Sequence, residues 1–221
     1  LVYWICFAAL NLLLFLPLAV LDQDELALLP PLTIFGQGPW LALNQLLVYR
    51  QSVDPLRLSI ELAIVAALWV NLRWLRVRVV RWVIAVFYLL LLAYYIYEAI
   101  MVSIYRADPV FYSHYFLARD GLPFLAEHVG ASPWLYLAAA FGLLLAIGAI
   151  VLLVQMMLAG GAHVGRWSRI AAGTLAVLCL VAALTYQIYT SRPEMVLSSI
   201  GWKLQKNITA SWQLYSDIAG F

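Results

Sequence analysis

Apolar residues along this chain come in runs of about twenty, the length a helix needs to cross roughly 30 Å of hydrocarbon. Five runs qualify, at about 1–21, 55–74, 80–105, 134–158 and 169–191, and none shows the residue-by-residue alternation of a membrane barrel strand. The pattern predicts an all-α integral membrane protein: a five-span domain over residues 1–192, then an amphipathic segment over 193–221. In that closing stretch, "KLQKNITASWQLYSDIAGF", Leu204, Ile208, Trp212, Tyr215 and Ile218 or Ala219 recur at helical spacing. Lys203, Lys206, Asn207, Gln213 and Asp217 fall elsewhere on the wheel.

The arginines set the orientation. Spans two and three are joined by "NLRWLRVRVVRW", with Arg73, Arg76, Arg78 and Arg81, and spans four and five by "AGGAHVGRWSR", with Arg166 and Arg169. Neither connection holds an acid, so both are expected on the cytoplasmic side. The other connections mix signs, and five spans then put the N-terminus in and the C-terminus out.

Three outer segments carry further helical patterns. "PWLALNQLLVYR" (39–50), with Trp40, is too short to cross and fits a helix lying in the interface. After span three, Asp108 can cap a helix with Pro109 in its first turn, running through "VFYSHYFLAR" to near Gly121; "LPFLAEHV" follows and ends at Gly130. With the closing helix these place Trp40, His114, Trp202, Trp212 and Tyr215 at headgroup level, where amphipathic rings concentrate. Spans four and five also offer small-residue pairs, Gly142 with Ala146 and Ala172 with Ala176, as a candidate close-packing seam.

Composition agrees with the pattern. The chain is 66% hydrophobic and 11% charged, less than half the charge of an ordinary soluble domain. A net charge of +2 gives no field for nucleic acid. Cys6 and Cys179 both lie inside apolar runs and read as buried free thiols. Leu1 already stands within a hydrophobic run, with no basic leader or small-residue cleavage site, so upstream residues are expected.

Candidate chemistry is sparse. Glu61 and Glu98 are the acids within spans, and intramembrane charges face protein, water or a partner because lipid exposure costs several kcal/mol. Arg57 stands one turn before Glu61, and Tyr94, Glu98, Met101 and Tyr105 share a stripe of span three leading to Arg106. Two readings stay open for Arg57, Glu61, Tyr94, Glu98, Tyr105 and Arg106. They form an outer-leaflet pocket for a lipid headgroup or a proton, or they are carboxylates satisfied by Arg57, Arg106 and tyrosine hydroxyls that hold helices in register. His114, His128 and His163 fall in connections, so no haem or zinc pattern arises, and no nucleophile elbow, P-loop or dinucleotide fingerprint is present. No catalytic, cofactor or metal residue is expected in this chain. "NIT" at 207–209 matches a glycosylation acceptor but falls on the amphipathic helix beside Ile208 and Trp212.

The order of features, "YRADPVFYSHYFLARDGLPFLAEHV" after the third span and "NITASWQLYSDIAGF" at the close, resembles the N-terminal membrane domain of bacterial sulfatase-like proteins of the alkaline phosphatase superfamily, the group that includes lipoteichoic acid synthases. The resemblance implies a bacterial plasma membrane location and an interfacial helix that leads to an extracytoplasmic catalytic domain beyond Phe221. It carries over no nucleophile or metal ligand. The expectation is a membrane-anchoring, lipid-presenting module of a hydrolase or transferase. The alternative is a cofactor-free accessory subunit packed against other membrane subunits and the lipid bilayer in a respiratory or photosynthetic complex.

Overall fold

The computed structural model describes residues 1–21, 57–105, 109–116, 119, 121, 132–189 and 197–219. These form α1 (Val2–Leu21), a two-residue strand β1 (Leu58–Ser59), α2 (Ile60–Asn71), a 3₁₀ turn (Arg73–Leu75) and α3 (Arg78–Tyr105). A short helical run at 111–116 follows, then α4 (Pro133–Ala162), α5 (Arg166–Tyr189), β2 (Leu197–Ser198) and α6 (Ile200–Ala219). Four of the helices, α1, α3, α4 and α5, are long and apolar enough to cross a membrane. The described residues are all-α apart from the two short strands.

Helix α1 packs between α3 and α4, while α2 lies against α5 and touches α4. In an apolar surround, carbonyls already bonded within a helix still carry a second lone pair, and buried donors use it to tie helices together. Tyr3 donates to the Ala66 carbonyl at 3.2 Å, Tyr88 to Leu10 at 2.7 Å and the Trp69 indole to Leu158 at 2.7 Å. These bonds join α1 to α2, α1 to α3 and α2 to α4. A close backbone approach sits at the level of Tyr3 and Trp69. A Cβ on Gly160 would meet the Tyr3 backbone nitrogen at 3.2 Å, and one on Gly161 would meet the Trp69 ring at 3.0 Å.

The small-residue seam therefore lies at Gly160 and Gly161. Ala172 is buried, but Gly142 has nothing within 4 Å of a built Cβ and Ala146 is exposed. The N-terminal half of α4 projects clear of the described bundle, with Trp134 78% exposed and the consecutive Leu135, Tyr136 and Leu137 open on different sides.

The second span departs from its expected course. A helix over 55–74 would cross the membrane, but α2 holds twelve residues, about 18 Å. It starts at Ile60 because Ser59, in extended geometry, caps it by accepting the Leu62 amide proton at 3.3 Å. Residues 57–59 stay extended because their backbone groups are taken elsewhere. Asn11, midway along α1, accepts from the Ser59 amide at 2.9 Å and donates to the Arg57 carbonyl. On its other side β1 pairs in parallel with β2, Leu58 opposite Leu197 and Ser59 opposite Ser198. The Asn11 amide thus acts as a third strand one residue wide.

Candidate functional site

The strand pair is the centre of a polar junction held at the level of the midpoint of α1. Each strand opens directly into a helix, β1 into α2 and β2 into α6, so two helix N-termini with their unpaired amides start side by side. Glu61, in the first turn of α2, serves both. One carboxylate oxygen accepts the Ser199 hydroxyl at 2.8 Å and the Gly201 amide at 3.1 Å, at the N-terminus of α6. The other accepts the Ser59 hydroxyl at 3.3 Å. A carboxylate beside two helix N-termini also meets their positive dipole ends.

One turn into α6, Lys203 reaches Glu98 on α3. Its ammonium lies 2.6 and 2.7 Å from the two carboxylate oxygens and 5.0 Å from the centre of the Tyr95 ring. Both side chains are 14% exposed. The Tyr95 hydroxyl pairs with Ser198 at 2.9 Å, linking the same stretch of α3 to β2.

Farther along α6 the contacts continue. Asn207 is 2% exposed, and its carbonyl oxygen accepts the Phe111 amide at 2.8 Å. Ser211 accepts the Tyr112 amide at 3.3 Å. Two amides at the start of the 111–116 run are thereby capped from another helix. His114 closes this region: its Nδ1 takes the Val110 amide at 3.3 Å and lies 2.6 Å from the Tyr97 hydroxyl. A ring nitrogen that accepts a backbone N–H carries no proton, and burial lowers the His114 pKa below its ordinary 6.5.

These contacts orient α6. Lys203, Asn207 and Ser211 form its inward stripe, while Ile208, Trp212, Tyr215 and Ile218 face out, Trp212 at 69% exposure. For a helix in water that would be inside out. Against lipid it is the favourable arrangement, with polar groups turned to protein and apolar ones left to hydrocarbon.

Of the residues marked from sequence, Glu61 and Glu98 come together in one junction, with Tyr94 buried nearby against Tyr97 and Phe111. Arg57 is 5% exposed immediately before β1. Tyr105 stands apart, half exposed with its ring 6.5 Å from His114. Trp202 is half-buried and donates its amide to Ser199; Tyr215 meets Tyr112 edge to face and lies tilted against Trp212. Arg106, Trp40 and Asp108, with the helices expected over 39–50 and 122–130, lie outside the described residues. The "NIT" asparagine is buried as a cap, and Cys6 and Cys179 are buried free thiols. Sequence reasoning passed over Asn11, whose signal was its isolation as an amide in an otherwise apolar run, and neither of its two readings of Glu61 and Glu98 included Lys203, with which the structure pairs Glu98.

Chemically, the junction joins elements. Three donors converge on Glu61 and one ammonium on Glu98, and among the described residues no three His, Cys, Asp or Glu side chains converge where a metal could sit.

With four long apolar helices, an all-α bundle and an outward apolar stripe on α6, the chain has the make-up of a multi-pass membrane protein. No family model matches it, and neither a curated protein nor a solved structure does.

Proposed function

We propose that this chain is a non-catalytic membrane-anchoring module of a sulfatase-like hydrolase or transferase in the bacterial plasma membrane, with α6 as the mount for an extracytoplasmic catalytic domain. In this reading α1, α2 with its strand, α3, α4 and α5 make five crossings, with the arginine-rich connections inside and α6 leading from the polar junction to the outside. The observation that supports it is the fastening of α6. Strand pairing at Leu197 and Ser198, the Glu61 cap, the Lys203–Glu98 ion pair and the Asn207 and Ser211 caps succeed one another over fifteen residues, from 197 to 211. A helix that only floated at the interface would need none of them. A fixed mount would hold an attached domain at constant height and bearing above lipid-linked substrate.

A second reading has its own support. The N-terminal half of α4, apolar on every side and exposed, is the kind of surface that packs against neighbouring subunits. It favours a cofactor-free accessory subunit of a larger membrane complex. Intact mass and peptide mapping of the native protein, purified in mild detergent with whatever accompanies it, separate the two. The anchor reading expects a mass well above 24.8 kDa with peptides continuing past Phe221. A mass near 24.8 kDa with stoichiometric cofactor-bearing subunits would overturn it in favour of the second.

A further inference from the structure

The opposite end of the bundle is built differently. Between the start of α3 and the last turns of α4 lies an open cleft of about 450 Å³, lined by Arg76, Arg78, Arg81, Trp82 and Gln155. Arg76 is a fixed wall. Its three guanidinium nitrogens bond the Trp69, Val70 and Ala162 carbonyls at 3.3, 2.6 and 3.1 Å, satisfying the last turns of α2 and α4. Burial first, and then the like charges of Arg169 and Arg73, hold its pKa below the usual arginine range.

The other two arginines leave donors over. Arg81 lines the cleft with its guanidinium 5.7 Å above the centre of the buried Trp69 ring, its Nε turned away from solvent, and Gln155 donates to its backbone carbonyl. Arg78 is exposed at the first residue of α3, where the helix contributes its own partial positive charge. Acids among the described residues are Glu61, Glu98 and Asp217, two in the polar junction and one on α6, so no carboxylate among them neutralises the cleft. A forked guanidinium pair facing an uncompensated cleft is matched to a phosphate, which accepts two parallel N–H bonds from each fork.

What kind of phosphate follows from the cleft's lower wall. Trp82 lines the cleft and begins a stripe, Trp82, Val86 and Leu90, that is exposed along one face of α3 at four-residue spacing for about 12 Å. Free phosphate has no use for such a track, whereas an acyl chain does. We propose that the cleft binds the phosphate of an anionic phospholipid, held by Arg78 and Arg81 against the fixed Arg76, with an acyl chain along Trp82, Val86 and Leu90. The site depends on the bundle lying in a bilayer and is independent of whether a catalytic domain is attached.

The test is native mass spectrometry of the delipidated full chain in mild detergent, titrated with phosphatidylglycerol or with phosphatidylcholine of the same acyl chains. The expected preference for phosphatidylglycerol, if each of the two arginines contributes as a basic residue does near an anionic surface, is about thirtyfold. R78Q/R81Q abolishes that preference and R166Q, outside the cleft, leaves it. Should the double variant fail to fold, R78Q alone alters an exposed side chain and lowers the preference about fivefold. Equal adducts with the two lipids would overturn the proposal, as would an equal loss in R166Q. Displacement of the lipid by millimolar inorganic phosphate would also overturn it, by assigning the cleft to free phosphate.

Discussion

The two ends of this bundle handle charge in opposite ways. At the polar junction each carboxylate has a cation or a set of N–H and O–H donors within hydrogen-bond reach, and the result is attachment: β1 to β2, α2 to α6, α3 to α6. At the arginine end, cations gather without a described acid, and one guanidinium is spent on helix carbonyls while its neighbours face a cleft. Satisfied charge in an apolar surround serves as a fastener, and unsatisfied charge at a helix end serves as a receptor.

The sharpest way to break the contrast is to unpair the junction. Glu98→Gln or Lys203→Met leaves one buried charge without its partner and should cost about 3 kcal/mol, near the lower bound for a buried pair because both side chains retain some exposure. Detergent-solubilised melting curves would register the loss, and the double variant should recover most of it. If the single variants melt like the parent, the ion pair does not fasten α6.

A smaller effect is expected from Asn11→Leu. It removes both bonds to the extended segment and leaves the Ser59 amide and Arg57 carbonyl unmet on that side, about 2 kcal/mol by the cost of orphaned buried groups. Limited proteolysis after Arg57 should accelerate in step with the melting change; unchanged cleavage would show that pairing with β2 holds β1 unaided.

Gly161→Ala comes next, at about 1 to 2 kcal/mol, since the new methyl meets the Trp69 and Tyr3 rings at contact distances that force repacking. Gly142→Ala is the matched control, with nothing to meet and a better helix former introduced. Equal melting temperatures for the two variants would place the helix seam elsewhere.

The smallest effect is a pH dependence at His114. Its folded pKa is lowered, so the folded state favours the neutral ring. The contribution is complete above about 6.5 and declines as pH falls below that, because the unfolded chain then binds the proton more readily. Tyr97→Phe should leave the sign unchanged, whereas His114→Gln should remove the dependence. A parent chain whose melting temperature rises on acidification from pH 7 to pH 5 would contradict the assignment.

Four of the long helices were legible because hydrophobic run length is a local property of the sequence, and α1, α3, α4 and α5 begin and end within a few residues of the expected runs. The shortened α2 was not, because its boundary depends on partners far along the chain: Asn11 before it and Ser198 and Ser199 after it, the last 138 positions from Glu61. The same distance hid the partner of Glu98. Lys203 was visible as a polar position on the closing helix, but nothing in a periodic pattern says which face of that helix is turned inward. In water the apolar stripe would be; here Lys203, Asn207 and Ser211 are, since polar groups beside hydrocarbon must be met by protein.

The central claim, that α6 is fixed to the bundle, is tested most directly by a distance distribution. Spin labels at Trp74→Cys and Trp212→Cys, both exposed in the parent, report the position of α6 relative to the arginine end, while the native cysteines are buried. Double electron–electron resonance in lipid should give a single narrow distribution that broadens when Lys203→Met is added. A broad distribution in the parent, unchanged by Lys203→Met, would contradict the claim.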